Sequence, residues 1–362
     1  MSSAEIIVVG GGVIGCALAF ELRKRGAGVM LLERDRIASG ASYGAGGMLA
    51  PQVEAAGPGA ILELGLRSRD LFAGWQAELP SPFDLDLSGI LRVAHTEKGA
   101  QELRRRAEWQ RGLGLGARLC DPGEVADLCP GLSETLCGLW VPDGQVSAQR
   151  LTLSLAQGAV QRGAVLREGV IVTAVRTGGV DTTEGRLSAG QVVVAAGAWS
   201  GLLTGMPVRP IKGQRLLLRQ PGRLMGLTVF GDQCYLIPKA GGRVLAGATE
   251  EPGAGFDTRV TTEAVGKLAR AACALLPPLG AAELVESWAG LRPGTPDRLP
   301  LLGRLPGFDG VWLATGHHRN GILLSALTGR LMAEAILHGA ALPATCAPDR
   351  FRAKQASGGP AR

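Results

Sequence analysis

The chain has 362 residues, 46% of them hydrophobic and 19% charged, and this balance excludes a largely disordered protein. The formal net charge is +6, and the densest basic run, residues 104–106, lies on a predicted helix beside acidic residues; we interpret it as a solvated helix face and expect no nucleic-acid partner. Seven cysteines without a CxxC pair and four histidines show no zinc-type spacing, so no metal site is expected.

The first elements in the chain predict one βαβ unit. Residues 5–9 are an apolar strand of the kind buried in parallel sheets, and a turn and an apolar helix follow, with a stop at Gly26. A second buried strand ends at Glu33. The turn has the spacing G-x-G-x-x-G, which allows a tight turn, lets backbone approach a pyrophosphate and lets the helix pack closely. We therefore expect a dinucleotide to place its ribose hydroxyls on Glu33 and to meet Gly10, Gly12, Val13, Ile14 and Gly15.

The uncharged stretch from residue 6 to residue 20 also has the composition of a signal-peptide core. No basic segment precedes it, Glu5 stands in that place, and the run is shorter than the roughly 20 residues that span a bilayer. We therefore interpret it as buried structure and expect a cytoplasmic protein without a membrane span.

A tract of small residues follows the second strand. FAD needs an extended bed of this kind for its pyrophosphate, ribityl chain and ring, whereas the glycine spacing alone does not separate NAD from FAD. A flexible loop is the alternative interpretation of the same composition. On the first interpretation the tract and its flank contact the cofactor through Arg34, Ser39, Ala41, Ser42, Gly46, Gly47 and Met48.

Two later strands have the same buried character. Residues 191–196 run into Gly197 and Trp199, residues 310–314 run into a second glycine-rich turn at residues 315–321, and a helix over residues 322–337 ends at Gly339. The sequence therefore predicts an α/β domain with a Rossmann-like parallel sheet. We assign it three separate parts of the chain, residues 1–80, 144–206 and 300–350.

The intervening segments show longer, half-exposed strands at residues 90–94, 208–219, 228–238 and 243–247, with a hairpin loop at residues 239–242. They predict a second, α+β domain with a mostly antiparallel sheet, built from residues 81–143 and 207–299. The chain after Pro343 is expected to be loose, and residues 351–362 are assigned to a C-terminal tail.

Four tracts carry a resemblance to a known family: residues 6–33, 39–51, 232–256 and 287–325. Read alone, residues 288–300 predict only a turn-rich loop. Together with the fingerprint and the turn at residues 315–321, they make the chain similar to the glycine oxidase branch of the D-amino-acid oxidase and sarcosine oxidase superfamily of flavoproteins. The segment 62–187 matches only in the order of its elements.

The resemblance implies roles for particular residues. Arg292 matches the arginine that holds the substrate carboxylate, and Tyr235 matches the tyrosine whose hydroxyl meets the same group. Arg319 and the turn around it match the segment beneath the pyrimidine end of the flavin, where a helix N-terminus stabilises negative charge. Val170 matches a backbone contact to the adenine side. The remaining cofactor contacts implied by the match are Gly316, His317, His318, Asn320, Gly321 and Ile322.

Two positions depart from the family pattern. His318 stands where relatives often carry tyrosine or another aromatic residue. Glu250 lies where some relatives place an apolar residue near the substrate, and a solvated loop acid is its alternative interpretation. Both departures bear on the substrate range more than on the chemistry.

The resemblance implies oxidative deamination of glycine or another small amino acid, with O2 as acceptor and glyoxylate, ammonia and H2O2 as products. It also implies a supply of glycine imine for thiamin thiazole synthesis. FAD is expected to be noncovalent, because the one cysteine after Cys273 is Cys346, beyond the last helix. A sarcosine or small D-amino-acid oxidase, a dehydrogenase that reduces a quinone, and a non-catalytic nucleotide-binding module remain alternatives, and a homo-oligomer is compatible with the sequence.

Overall fold

The computed structural model describes residues 3–220 and 225–351. The α-helices of this part of the chain are α1 (Val13–Lys24), α2 (Pro51–Glu54), α3 (Ala60–Arg69), α4 (Phe72–Glu78), α5 (Glu97–Gly112), α6 (Pro122–Leu128), α7 (Ala148–Gln161), α8 (Ser200–Thr204), α9 (Thr262–Leu275) and α10 (Gly321–His338). Short 3-10 helices occur at Gly197–Trp199, Pro277–Ala281, His318–Asn320, Ala344–Cys346 and Pro348–Phe351.

The strands are β1 (Ser3–Val9), β2 (Val29–Leu32), β3 (Met48–Leu49), β4 (Ile90–Ala94), β5 (Arg118–Cys120), β6 (Cys137–Val141), β7 (Gly144–Gln145), β8 (Val165–Arg167), β9 (Val172–Arg176), β10 (Gly179–Thr182), β11 (Gly185–Val194), β12 (Arg209–Arg219), β13 (Thr228–Phe230), β14 (Tyr235–Lys239), β15 (Arg243–Gly247), β16 (Glu283–Gly294), β17 (Leu301–Arg304) and β18 (Val311–Thr315).

The first sheet has the order β17-β18-β11-β1-β2-β8. Its central pairs, from β18 across to β8, are parallel. β1 is buried over Ile6–Val9 because α1, α7 and α10 cover one face of the sheet and the β9–β10 hairpin with α8 covers the other, as the unbroken apolar run requires. α1 crosses one face and ends as predicted, since Gly26 adopts φ +87°, which suits glycine.

The second sheet has the order β16-β12-β15-β14-β13-β4-β6-β5, and all its pairs are antiparallel except β13 with β4. The predicted combination of a parallel-sheet α/β unit with a mostly antiparallel one is therefore confirmed. The predicted division of the chain into domains stays a prediction, although the first sheet draws on residues 3–32, 165–194 and 301–315 and the second on the segments between them.

Two strand predictions are wrong. Residues 228–238 are not one strand but β13 and β14, joined by a turn in which the Gly231 N–H donates to the Cys234 carbonyl at 2.9 Å. Residues 288–294 are not a turn but the end of β16. A strand with Pro293 is possible there because β16 lies at the sheet edge, where a missing N–H donor costs no ladder bond on its outer side.

The expectation of a loose chain after Pro343 is wrong as far as residue 351. Cys346 is fully buried in the core beneath the first sheet. Arg350 donates to both carboxylate oxygens of Asp297, at 2.8 and 3.1 Å. These bonds hold this segment against the loop that follows β16. Residues 352–362, the rest of the predicted tail, lie outside the described residues.

One helical stretch, His318–His338, is long and apolar enough to cross a bilayer by length and composition. In the structure 61% of it is buried inside the protein, where α10 packs against α1 and α3. Burial of this kind is typical of the central helix of a globular core.

Candidate active site

A cavity of about 440 Å³ begins at the carboxyl ends of the parallel strands and extends to the face of the second sheet. At the first end it is lined by residues that directly follow β1, β2, β11 and β18. In open α/β sheets this edge is where ligands bind. At the other end it is lined by side chains from β12, β14 and β16.

The glycine turn forms the first end of the cavity. Gly10 adopts φ +112°, and a Cβ at Gly15 would overlap the Gly10 carbonyl oxygen, so the helix can follow the turn this closely only with glycine at both positions. No side chain caps the N-terminus of α1 at Gly12, whereas the Val13 N–H donates to Ser42 Oγ at 2.9 Å. The positive end of the helix therefore faces the cavity, as a pyrophosphate requires.

Glu33 lies at the end of β2 and lines the same end of the cavity. Its carboxylate accepts hydrogen bonds from the N–H groups of Gly11 at 2.6 Å and Asp35 at 2.8 Å. These bonds hold the carboxylate at the position expected for a ribose contact. Val170 donates its N–H to the Glu33 carbonyl at 2.9 Å, and Arg34 stacks over the Trp199 ring at 4.3 Å.

The small-residue tract lines the middle of the cavity and contacts the second sheet. A Cβ at Gly46 would lie 2.7 Å from Ile237 Cδ1, and one at Gly47, where φ is +81°, would overlap the Val146 carbonyl oxygen. Side chains are thus excluded where the tract meets its neighbours. The resulting trough is extended, has a helix N-terminus at one end and cations at the other, and fits the phosphates and the ring of FAD.

Arg292 and Tyr235 line the far end. Arg292 extends from β16, and its Nη1 donates to the Thr249 carbonyl at 3.2 Å and weakly to the Lys212 carbonyl at 3.5 Å. It forms no ion pair with any described carboxylate. Tyr235 extends from β14, and the absence of a side chain at Gly247 leaves room for its hydroxyl. A guanidinium held by carbonyls, in the same cavity as a phenol, is suited to a carboxylate ligand.

The turn before α10 forms another wall of the same cavity. His318 adopts the strained value φ +49°, and no side chain caps the N-terminus of α10 at Asn320. His317 is buried with its Nε2 3.0 Å from Thr328 Oγ1. Burial lowers the pKa of His317 to about 3 and that of His318 to about 4. Both imidazoles are therefore neutral at neutral pH.

Three residues assigned to the site do not line the cavity. Gly15 acts through helix packing, and Gly316, at φ +77°, allows the chain to pass Thr295, whose Cγ2 a Cβ would approach to 2.6 Å. Glu250 is exposed, 3.5 Å from Arg298 Nη2 and 3.9 Å from His318 Nε2. The other residues proposed from the sequence all line it, including Ala41, Met48, Gly197, Gly321 and Ile322.

Sequence reasoning missed Glu54, the last residue of α2. Its carboxylate lines the cavity and pairs with Arg319, with Arg319 Nε 2.9 Å from Oε2 and Nη2 3.0 Å from Oε1. Burial raises the pKa of Glu54, while Arg319 and two further arginines act in the opposite direction. The short apolar segment before it gave no sign that a charge is directed inward.

A network of buried polar groups holds α2 in place. The N–H groups of Gln52 and Val53 donate to Asp143 at 2.9 and 2.8 Å, and burial raises the pKa of Asp143 to about 7. Arg106 donates to the carbonyls of Val53 at 3.2 Å and Ala55 at 2.8 Å. The interpretation of residues 104–106 as a fully solvated face is therefore wrong for Arg106, which is buried.

Arg215 on β12 is the second missed residue. Only 4% of it is exposed, and it lines the cavity on the side of Tyr235. Burial, and then the charge of Arg292, lowers its pKa to about 10, so it stays a cation at neutral pH. A charged residue at an inward position of a buried strand was the available signal.

A glycine-lined trough at the carboxyl ends of parallel strands, closed by polar side chains from an antiparallel sheet, is typical of two-domain enzymes that use a dinucleotide cofactor. Residues 5–335 match the family described as FAD dependent oxidoreductase. The chain belongs to this family, and it is an oxidoreductase with FAD as its cofactor.

Individual relatives agree with this assignment. A glycine oxidase of Geobacillus kaustophilus (strain HTA426) is 40% identical over 349 residues, which cover 92% of both chains. A crystal structure of glycine oxidase from that organism has a TM-score of 0.92 at 38% identity and covers 97% of this chain and 99% of that one. The bifunctional protein ThiO/ThiG of Synechocystis sp. (strain PCC 6803) is 34% identical; the match covers 97% of this chain and 54% of that protein, so the chain spans about half its length.

Proposed function

We propose that the chain catalyses the oxidative deamination of glycine, through the imine, to glyoxylate and ammonia with reduction of O2 to H2O2. The observation that supports the proposal is that Arg292 and Tyr235 both line the cavity at the end opposite the nucleotide turn. The similarity to glycine oxidases supports the same substrate. Sarcosine and small D-amino acids are the alternative substrates.

Binding of the carboxylate is the main contribution of these two side chains. A guanidinium and a phenol hydroxyl donate to the two carboxylate oxygens and so direct the substrate Cα towards the trough, which is a positioning effect. The chemistry that FAD supplies when bound is acceptance of the hydride from Cα and transfer of two electrons to O2.

The amine must be neutral when hydride leaves the carbon. His317 and His318 have pKa values far below neutrality, so both imidazoles are uncharged at pH 7 and neither places a positive charge beside the amine. Glu54 is a carboxylate on this wall and is neutralised in part by Arg319. Because hydride, not a proton, leaves Cα, no histidine base is needed there, and the amine proton leaves to solvent or by way of Glu54.

Noncovalent attachment of FAD is part of the proposal. None of the seven cysteines, all of which are described, lines the cavity, and six of them are buried. Burial also raises the pKa of Cys346, which disfavours a reactive thiolate. A mass spectrum of the denatured protein that retains one FAD contradicts this part.

We also propose that the glycine imine supplies thiamin thiazole synthesis, which the match to a ThiO/ThiG protein supports. A cytoplasmic location belongs to the same proposal. Deletion of the gene should create a thiamin requirement, and growth without thiamin would contradict the pathway role while leaving the enzymatic proposal intact.

The enzymatic proposal is tested by the visible spectrum of the anaerobic holoenzyme before and after addition of glycine. The flavin band should bleach and return with air. A band that glycine leaves unchanged but sarcosine or a D-amino acid bleaches contradicts the choice of substrate, and a bleached band that air does not restore indicates a dehydrogenase. A protein that binds no flavin revives the non-catalytic alternative.

Arg292→Met tests whether Arg292 binds the substrate carboxylate. Two charge-assisted hydrogen bonds contribute about 3 kcal/mol or more, so kcat/KM for glycine should fall at least about 100-fold while flavin content is retained. Arg298→Met is the control, since Arg298 is an exposed arginine of the same segment with 71% of its side chain accessible.

A further inference from the structure

Arg215 and Arg292 extend over the same part of the second sheet from opposite directions. The register of β12 with β16 pairs Arg215 with Trp288, Gly213 with Gly290, and Ile211 with Arg292. Residues directly opposite each other point to one face of an antiparallel sheet, and so do alternate residues of a strand. All three pairs therefore face the cavity side, with the two glycines between the two arginines.

The two glycines leave space that both guanidinium groups occupy. A Cβ at Gly213 would overlap the guanidinium of Arg292. A Cβ at Gly290 would lie 3.7 Å from Nη2 of Arg215. The two side chains thus converge over the glycine pair, and the charge of Arg292 contributes to the lowered pKa of Arg215.

Among the described residues, Arg215 has no partner that would explain a structural role. Its Nε and Nη1 are buried without a hydrogen-bond partner in residues 3–220 and 225–351, and so is Nε1 of the neighbouring Trp288. A Cβ at Gly44 would lie 2.9 Å from Trp288 Nε1 and 3.7 Å from Arg215 Nη2, so these donors share one small region. Unsatisfied buried donors, one of them charged, are costly and complement an anionic acceptor.

The charges at this end of the cavity are unbalanced. Arg215, Arg292 and Arg319 line it together with one carboxylate, Glu54, which leaves 3 − 1 = 2 positive charges among the described lining residues of this end. Glu54 is committed to Arg319. A single substrate carboxylate on Arg292 leaves Arg215 without a counter-charge.

We propose that Arg215 binds a second carboxylate, so that the chain accepts glycine derivatives that carry two acid groups. One carboxylate lies on Arg292 and Tyr235, and the other lies on Arg215 above the glycine pair. The second acid group belongs either to a substituent on the amine nitrogen or to a side chain on Cα. The choice of Arg292 for the first carboxylate rests on the proposed function, whereas the anion site at Arg215 does not require glycine turnover.

The first test measures the binding of malonate and acetate, two anions that cannot be oxidised, to the holoenzyme. Binding is monitored by the change that each anion causes in the flavin spectrum. Malonate should bind at least about tenfold more tightly than acetate, and Arg215→Met should remove most of this ratio. Arg219→Met is the matched control on the same strand, since Arg219 is exposed and pairs with Glu283 at 2.6 Å. It should leave the ratio unchanged.

The second test separates the two positions of the acid group. Iminodiacetate carries it on nitrogen and D-aspartate on Cα, and each is compared with glycine by anaerobic flavin reduction. At least one should reduce the flavin, and its rate relative to glycine should fall about tenfold in Arg215→Met. Failure of both to bind or to reduce the flavin overturns the proposal.

Thermal melting of the ligand-free holoenzyme excludes a structural role. Arg215→Met replaces a buried, unpaired cation with an apolar chain of similar length, so Tm should stay the same or rise. A clear fall in Tm, or an equal loss of malonate and acetate binding, overturns the proposal in favour of a role in the fold or beside the flavin. If glycine does not reduce the flavin but malonate still depends on Arg215, the proposed function fails and this inference stands.

Discussion

The two ends of the cavity are built in different ways. At the nucleotide end the polar groups are satisfied within the first part of the chain, since Glu33 accepts two backbone N–H groups and Ser42 accepts one from Val13. At the other end charged side chains come from distant segments, and the pair Glu54 and Arg319 joins residues 265 positions apart. Two donors of Arg215 have no hydrogen-bond partner there within the part of the chain that the structure describes.

The two ends of the cavity should therefore respond differently to substitutions. The nucleotide end depends on backbone approach and on glycines whose replacement causes steric overlap, so substitutions there affect folding and FAD together. The substrate end depends on side-chain charges over a rigid sheet. Substitutions there should change ligand selectivity while the fold and the cofactor remain.

The largest effect is expected at the nucleotide end, from Gly15→Ala. The new Cβ would overlap the Gly10 carbonyl oxygen, and both atoms belong to tightly packed backbone, so the turn and α1 cannot keep their distance. The purified variant should lack the flavin absorption band and melt at a lower temperature. Gly74→Ala on α4 is the control, because no atom lies within 4 Å of its Cβ position and it does not line the cavity. A Gly15→Ala protein with full flavin content contradicts the packing argument.

The next largest effect is expected on the stability at low pH, from His317, which is buried in the cavity wall between the two ends. Its folded pKa of about 3 lies below the ordinary value of 6.5, so the unfolded chain takes up a proton first as the pH falls. Stability that is complete above pH 6.5 is therefore lost towards pH 3, by about 2 kcal/mol between pH 7 and pH 5. His317→Gln should remove this loss in denaturant unfolding compared at the two pH values.

Asp143 changes the stability in the opposite direction over the same pH range. Its folded pKa of about 7 lies above the ordinary 3.8, so its protonation stabilises the fold as the pH falls. For this reason the variant is compared with the parent, which has the same Asp143. His338→Gln, at the exposed C-terminal end of α10, is the control. An unchanged pH dependence in His317→Gln would show that this imidazole is not the group that titrates.

A moderate effect is expected at the substrate end from Glu54→Gln. A carboxylate in the cavity wall stabilises an ammonium group nearby, so its removal lowers the pKa of the bound amine. The rise of kcat with pH should shift down by about one unit. Glu63→Gln, on the neighbouring helix α3, is the control. A profile that stays in place indicates that Glu54 only positions Arg319.

The smallest effect is expected just outside the cavity, from Glu250→Gln. The carboxylate is 40% exposed, Arg298 Nη2 is 3.5 Å away and the neutral His318 is 3.9 Å away, so these exposed contacts contribute little. We expect kcat/KM for glycine and for D-alanine to change less than about twofold. A larger change, in opposite directions for the two substrates, would place this residue in control of the substrate range after all.

The fold was predictable where one segment decides its own structure. The strand that ends at Val9, the glycine spacing, the stop at Gly26 and the helix closed by Gly339 all follow from local composition, and the structure confirms them. Residues 288–294 were misjudged because glycine and proline indicate turns by themselves. Only the position of β16 at the sheet edge makes a strand with Pro293 acceptable.

The candidate site likewise contains residues that the sequence indicated and residues that it did not. Arg292 and Tyr235 were proposed from resemblance, and their placement in one cavity depends on the order β16-β12-β15-β14. Arg215 and Glu54 were not proposed: the apolar segment before Glu54 gave no sign of an inward charge, and the inward position of Arg215 on an apolar strand was the one local signal. Their roles follow from burial and from neighbours far away in the chain.

The sequence by itself determined the dinucleotide turn, the class of the two sheets and the family resemblance, because glycine spacing and the period of apolar residues are local properties of the backbone. Only the tertiary structure decided which charges share the cavity. The register of β12 with β16 places two arginines on either side of a glycine pair, and the approach of α2 to the turn before α10 neutralises Arg319 with Glu54. Electrostatic interactions depend on distance and burial, and both are set by contacts between segments that no local pattern records.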